Sequence, residues 1–371
     1  MSGIVVIGAG IAGLSAAAAL AKHAKVTVLE GEAAVGYHSS GRSATMVHYA
    51  LGDPQVRVLT LASRAFFEAP PEGFSDGPLG RRMPVLIHAR EDELPALDEL
   101  DAQIAPFARL ERVDERGILG LCPAIRTGEG GAVEGIVDRN GIRLDPHALL
   151  QGHVRALRRS GGELVTSARV SKMTREQVGW RIETERGGTF TAPLVVNAAG
   201  AWADEVARLA GAAPVGLEPL RRTIITFDGP PGVDLSGWPF AKTVHDELYF
   251  APESGRLFAS PMDEVPSEPC DAQPGEYEVA LAAARMEERT RLEVRQIHSR
   301  WAGLRTFAPD RHLIAGFDPR VEGFLWLAGQ GGFGLQTSPV MAQIVESLVA
   351  GTPWPIEGVS PEALSPARFL G

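Results

Sequence analysis

Lysine is scarce in this chain of 371 residues: Lys22, Lys25, Lys172 and Lys242 are its only lysines, so arginine carries nearly all of the positive charge. The arginine fork suits bidentate recognition of carboxylate or phosphate better than an ammonium does. The formal net charge of −10 argues against a nucleic-acid surface, which needs clustered positive charge. Cysteine is nearly absent. Cys122 and Cys270 form at most one disulfide and cannot build a Cys-rich metal site, so no metal is expected and a reducing, cytoplasmic setting is the simpler reading. No run of about 18 apolar residues occurs, so nothing is expected to span a membrane. The first apolar strand starts at residue 4, which is expected to leave no room for a signal peptide. Repeats of fixed period and low-complexity segments are also missing. With 44% hydrophobic and 22% charged residues, the chain reads as a soluble globular protein of two or so domains.

The most informative stretch is the first thirty residues. Ile4-Val5-Val6-Ile7 is a β-branched run suited to a strand buried on both faces. It enters Gly8-Ala9-Gly10-Ile11-Ala12-Gly13 and then an Ala- and Leu-rich helix, and Val26-Thr27-Val28-Leu29 forms a second strand ending in Glu30. This is the dinucleotide fingerprint in its full context. Gly8 allows the tight turn, Gly10 lets backbone approach a pyrophosphate, and Gly13 lets helix pack on strand. The helix N-terminus offers N–H groups and a positive dipole end to the anion, and Glu30 can accept from ribose hydroxyls.

Further along, Gly31 leads to a loop holding His38-Ser39-Ser40-Gly41-Arg42-Ser43-Ala44, whose hydroxyls and arginine suit phosphate and ribityl contacts. Residues 55–67 read as a helix burying Val58, Leu61, Ala62 and Ala65. Residues 83–88 and 132–137 read as strands, and Asp145-Pro146 as the start of a helix burying Leu149, Leu150, Val154 and Leu157. Residues 164–174, 179–185 and 189–192 read as a meander containing Val170. A buried strand, 194–197, then enters Ala198-Ala199-Gly200-Ala201-Trp202, a second edge for the same crevice. Residues 221–227, 247–251 and 256–260 read as strands, and 290–300 as helical or turn-like. A last buried strand, 324–328, runs into Gly329-Gln330-Gly331-Gly332-Phe333-Gly334-Leu335-Gln336-Thr337, apt for close approach to a flat or anionic ligand, and Ser338-Pro339 starts a helix.

These stretches, with Trp301-Ala302-Gly303-Leu304-Arg305, resemble the FAD-dependent amine and D-amino-acid oxidoreductases of the D-amino acid oxidase superfamily along the whole chain, and most of all its bacterial D-arginine dehydrogenases. The resemblance implies an α/β fold: a Rossmann-like FAD-binding domain from residues 1–52, 140–215 and 303–371, and an α+β substrate domain on a mixed or antiparallel sheet from residues 53–139 and 216–302. It implies non-covalent FAD, since neither cysteine falls where some relatives attach the flavin. The helix starting at Ser338 would point its positive end at the flavin and stabilise its reduced, negative form. It further implies Arg305 as a carboxylate clamp, Tyr249 and Arg222 as its companions, and the Gly332 carbonyl as an orienter of the amine. The implied partners are an amino acid or amine and an electron acceptor such as a quinone or a carrier protein.

Two departures bear on the substrate. His48-Tyr49 stands two residues further on than the corresponding pair of the relatives; His48 is kept as a catalytic candidate. Arg82-Met83-Pro84 supplies no acid where the arginine-specific relatives have one, and an unpaired guanidinium is costly to bury. The expected substrate is therefore a D-amino acid with a neutral or apolar side chain, lined by Met46, Leu51 and Met83. The strand at 257–259 lacks the lysine that oxidases related to sarcosine oxidase carry, which points to a dehydrogenase. A secondary-amine or 2-hydroxy-acid oxidase, and a flavin-binding subunit of a larger complex, are the alternatives.

Overall fold

The computed structural model describes residues 3–369 and contains two large sheets of different build. The first has six strands in the order Ile314–Phe317, Phe324–Ala328, Leu194–Asn197, Ile4–Ile7, Val26–Leu29 and Glu163–Val165. All neighbours are parallel except the outermost pair, Ile314–Phe317 with Phe324–Ala328. Its strands are apolar on both sides because both faces are covered. Helices Ile11–Leu20, Pro146–Arg159 and Gly334–Ala350 pack on one face. The antiparallel meander of Val170–Glu176, Gly179–Thr184 and Thr189–Ala192 packs on the other, with helix Ala203–Leu209.

The second sheet has nine strands and is mixed. Most of it is antiparallel, but Phe240–Thr243 runs parallel to Val85–Ala89. Glu218–Phe227 holds Ile297–Phe307 along its whole length on one side and Arg256–Ser260 on the other. Tyr249–Glu253 and Phe240–Thr243 follow in order. The sheet encloses its own core, in which Phe227, Phe250 and Phe258 are fully buried.

Several expectations are corrected. The helix expected at 55–67 spans Pro54–Glu68 and turns a different face inward: Val56, Leu59, Thr60, Ser63 and Phe67 are buried, whereas Leu61, Ala62 and Ala65 are exposed. Its partner is the helix Gly334–Ala350, where Gln336 Nε2 donates to Thr60 Oγ1 (2.9 Å) and the Val340 N–H to Ser63 Oγ (3.3 Å). Small hydroxyl residues let two helices approach closely, which an apolar-stripe reading misses. This helix shares the first sheet's core, whereas the expected domain bounds place residues 53–139 in the substrate domain.

Residues 164–174 are two strands, and Glu163–Val165 belongs to the parallel sheet. The region 290–300 feeds the long strand Ile297–Phe307; its outer half is exposed and shows no apolar alternation. The boundary expected at 303 therefore falls inside a continuous strand. The helix expected to start at Ser338 starts at Gly334, so Pro339 lies within it. Pro339 cannot donate to the Leu335 carbonyl, and the Ser338 hydroxyl does so instead (3.0 Å).

Three buried histidines carry a pH dependence. Burial lowers His48 and His153 from 6.5 to about 3 and His88 to about 4. Each imidazole takes up its proton more readily in the unfolded chain, so stability is full above pH 6.5 and is lost as pH falls toward those values. The slope is up to about 1.4 kcal/mol per pH unit per group. His153 stacks on Phe66 and meets Phe74 edge-on, with Nε2 unpartnered. In urea titrations at pH 7.5 and 5, His153→Leu is expected to lose about 2 kcal/mol less stability between the two pH values than the parent does.

Candidate functional site

The end of the Ile4–Ile7 strand opens a cavity of about 370 Å³, large enough for a cofactor-sized ligand. Its first wall is the Gly-rich turn, whose three glycines do different work. Gly8 has φ +102°, and a Cβ there would lie 2.4 Å from the Ala198 carbonyl oxygen; at Gly13 it would lie 2.0 Å from the Gly8 carbonyl oxygen. Both are required by the protein's own packing. At Gly10 the nearest atom is Ser40 Oγ, at 3.4 Å. The protein tolerates a side chain at Gly10, so its absence leaves a cradle open toward the cavity.

The helix that follows has no acid in its first turn, and its Ile11 N–H donates to Ser40 Oγ (2.9 Å). The positive end of the helix therefore faces the cavity with no acid of the helix itself against it. Beside the turn, the carboxylate of Glu30 accepts from the N–H groups of Ala9 (2.6 Å) and Glu32 (2.8 Å). These bonds fix its carboxylate, which keeps lone pairs for further donors.

The remaining predicted cofactor residues divide into those that line the cavity and those that shape it. Ile11, Ala12, Gly31, His38, Ser39, Ser40, Arg42, Ser43 and Ala44 line it, as do Val170, Ala199, Gly200, Trp202, Gly303, Gly331, Gly332, Gly334 and Leu335. Gln336 lines a smaller adjoining chamber. Gly13, Gly41, Phe333 and Thr337 do not reach the cavity. Gly41 packs against the Gly36 carbonyl, Phe333 packs edge-on against Phe307, and Thr337 Oγ1 donates to the Phe333 carbonyl (2.9 Å).

Arg42 lines the cavity, but its guanidinium is committed to the carbonyls of Tyr37, Ala272 and Ala302 and to Asp271 Oδ1. It fastens the Ser39–Arg42 turn to the second domain. Sequence reasoning missed Arg169 at the Glu30 end, where it donates to Glu32 Oε1 (3.1 Å) and lies over the Trp202 ring.

The adjoining chamber of about 30 Å³ shares Arg305, Tyr249 and Gly332 with the cavity. Arg305 comes from the strand Ile297–Phe307, which is tied to the first domain on both sides of it. Ser39 Oγ donates to the Leu304 carbonyl (2.6 Å), and the Gly331 N–H to that of Thr306 (2.8 Å). A Cβ at Gly332 would lie 2.6 Å from Arg305 Cζ, so glycine is needed there for the guanidinium to fit.

Among the described residues Arg305 has no hydrogen-bond or ion-pair partner. Burial, then the nearby charge of Arg222, lowers it from 12.5 to about 10. It stays cationic at neutral pH and unneutralised. Tyr249 lines the same space, stacks on Phe240, and has no hydrogen-bond partner among the described residues. Arg222 lines the larger cavity, held by the Asp263 carbonyl (2.6 Å) and Glu264 (3.2 Å), with Nη1 buried and unpartnered.

Of the expected side-chain pocket, Met46 and Leu51 line the chamber, as does His48. Met83 does not: it is buried in the second domain's core, its N–H bonded to the Gly141 carbonyl. Sequence reasoning missed Phe240, Met262 and Lys242 on the chamber wall. Strand 257–259 has no lysine, as its sequence shows, and Lys242 of the strand Phe240–Thr243 places an ammonium on the chamber wall. The signal available was period-2 alternation in Phe240-Ala241-Lys242, too short to be read as a strand without its partners.

A Gly-rich βαβ crevice continuous with a second-domain chamber defines a two-domain dinucleotide-cofactor protein. Residues 3–348 match the model of the DAO family, described as FAD dependent oxidoreductase, and the chain belongs to that family. FAD is its cofactor, and the open cradle at Gly10, the acid-free first turn of the helix and Glu30 fit that ligand. Neither cysteine lines the cavity.

Hydrogen cyanide synthase subunit HcnC of Pseudomonas aeruginosa is 26% identical over 267 residues, 70% of this chain and 61% of that protein. The tRNA 5-methylaminomethyl-2-thiouridine biosynthesis bifunctional protein MnmC of Burkholderia multivorans is 28% identical, with 99% of this chain and 59% of that protein covered. The chain thus spans about three fifths of the length of these relatives. Glycine oxidase from Geobacillus kaustophilus shares the fold at a TM-score of 0.85 and 20% identity, over 99% of both chains. FAD-bound L-alpha-glycerophosphate oxidase from Mycoplasma pneumoniae does so at 0.85 and 17%, over 94% of this chain and 95% of that one.

The contrast among the glycines gives a direct test. Gly10→Ala is expected to fold with a melting temperature close to the parent's once stripped of flavin, yet to bind FAD at least about ten-fold more weakly in a fluorescence titration, a loss of about 1.4 kcal/mol. Equal FAD affinity in the two proteins would show that Gly10 does not face the cofactor.

Proposed function

We propose that the chain oxidises the α-carbon–nitrogen bond of an amino or imino acid, with a D-amino acid as the leading class, to the imino product. Hydrolysis then yields a 2-oxo acid and ammonia or amine. The observation that carries this reading is Arg305, an unneutralised guanidinium on the wall shared by the cofactor cavity and the chamber. A bidentate arginine fixes both the angle and the distance of a carboxylate, and orientation is the protein's main task when the cofactor does the redox chemistry.

FAD, when bound, supplies the acceptor for the two electrons that leave as hydride. The chain's residues then have separable tasks. Arg305 and the Tyr249 hydroxyl hold the carboxylate. The Gly332 carbonyl can accept from the substrate's amine. His48, neutral above about pH 3, can accept a hydrogen bond from the substrate's amine but is too weak a base to take its proton.

A D-arginine-like cation is disfavoured, because its guanidinium would meet the like charges of Arg305 and Lys242. The apolar part of the lining comes from Met46, Leu51, Phe240 and Met262, without Met83. We assign the electrons to a non-oxygen acceptor such as a quinone or a carrier protein, on the basis of the lysine-free strand Arg256–Ser260. Free Cys122 and Cys270 suit a reducing compartment, and the cytoplasm is the proposed location. Among the described residues no helix is long and apolar enough to cross a membrane.

The test is anaerobic bleaching of the flavin by D- and L-amino acids, N-methyl amino acids and 2-hydroxy acids, followed by readmission of oxygen. Bleaching by amino or imino acids with slow reoxidation is expected. Rapid peroxide formation would make the protein an oxidase. Bleaching by 2-hydroxy acids alone would replace the C–N reading. No bleaching at all would favour a subunit that needs partners, as the HcnC likeness suggests. With a bleaching substrate in hand, Arg305→Met is expected to lower kcat/KM by about a hundred-fold, the loss of a charge-assisted bidentate contact of about 2.7 kcal/mol.

A further inference from the structure

The chamber contains a charged side chain that the reading above does not use. Lys242 lies on Phe240–Thr243 directly opposite Tyr249 of the antiparallel neighbour, so the two side chains share one face of the sheet. Phe240, two residues earlier, is on that face too, and all three line the chamber. The Lys242 side chain is only 3% exposed. A methionine would fill the same volume without the cost of withdrawing a charge from water.

An ammonium has three donors. One of those of Lys242 goes to the Ala50 carbonyl (3.3 Å) and another to the Asp246 carboxylate. Asp246 stands on a turn with φ +57°, is 54% exposed, and does not line the chamber. The third donor has no acceptor among the described residues. No carboxylate lines the chamber, whereas Arg305 and Lys242 both do, and His48 beside them is neutral. Two cationic side chains therefore face this space, Arg305 without a partner and Lys242 shared with Asp246 outside the lining.

We propose that Lys242 is a specificity-determining residue that binds a second carboxylate of the substrate, so that the preferred substrates are dicarboxylic amino or imino acids with one carboxylate on Arg305 and the other on Lys242. This inference rests on the amino-acid reading and deepens it, replacing the neutral side chain with an acidic one. The competing role is structural, a staple joining the strand to Ala50 and Asp246, and it would affect all substrates alike.

The test uses the FAD-loaded protein and anaerobic flavin reduction by D- and L-aspartate, D- and L-glutamate and iminodiacetate, against asparagine, glutamine and norvaline. Dicarboxylates are expected to exceed their neutral counterparts at least ten-fold in kcat/KM. Lys242→Met is expected to erase that ratio mainly through KM, and Lys242→Arg to keep it. Equal or better reduction by the neutral compounds, or a Lys242→Met loss of the same size for both classes, would overturn the proposal. Asp246→Asn, at the exposed rim, removes the competing anion and is expected to lower KM for the dicarboxylate; a KM that stays or rises counts against it.

Binding gives an independent readout: glutarate is expected to raise the melting temperature of the loaded protein more than butyrate does, and Lys242→Met to remove the difference. If no amino or imino acid reduces the flavin, the proposed reaction fails, while the glutarate comparison still decides the role of Lys242.

Discussion

Arg305 carries a positive charge into a cavity wall where no carboxylate of the described chain meets it, and much of the surrounding structure serves to hold it there. Withdrawing a guanidinium from water costs several kcal/mol unless a partner compensates. The chain supplies none and even sets Arg222 close by, which raises the cost. The backbone on either side of Arg305 is fixed by bonds to Ser39 and Gly331, and Gly332 gives up its side chain to make room. A cation kept this way is compensated when an anion arrives, so substrate binding recovers energy that folding left unrecovered.

The same strand joins the two halves of the molecule. Ile297–Phe307 pairs with Glu218–Phe227 of the substrate sheet while it bonds to the Ser39 and Gly331 loops of the cofactor domain. Arg42 reinforces the seam by spending its donors on Ala272, Ala302 and Asp271. The cofactor cradle and the chamber are therefore registered to each other by hydrogen bonds to backbone carbonyls, the rigidity that the proposed hydride transfer would require. Lys242 enters by a different route, through cross-strand pairing with Tyr249, and in the role proposed for it the chamber would select for charge as well as shape.

Much of the cofactor half was legible in the sequence because its information is local. A buried strand, a Gly-rich turn, a helix and an acid occur within thirty residues, and Glu30 and Gly10 are where that pattern puts them. What was not legible depended on contacts distant in sequence. The inward face of Pro54–Glu68 is set by the hydroxyls of Thr60 and Ser63 meeting a helix far along the chain. The strand at Ile297–Phe307 is exposed over its first half and lacks the alternation that marks a strand. Met83 follows the strand Gly80–Arg82 into the core, and Lys242 reaches the chamber only through pairing that four residues cannot announce. Arg42 has the residue type of a phosphate ligand, yet its geometry makes it a latch.

The most direct test of the central claim is a crystal structure of the FAD-loaded protein with a small non-oxidisable carboxylate such as acetate or benzoate. The account predicts the carboxylate on the Arg305 guanidinium with one oxygen within hydrogen-bond reach of the Tyr249 hydroxyl, beside the flavin. A carboxylate bound elsewhere in the cavity, or an Arg305 turned away to pair with a carboxylate of the chain itself, would contradict it.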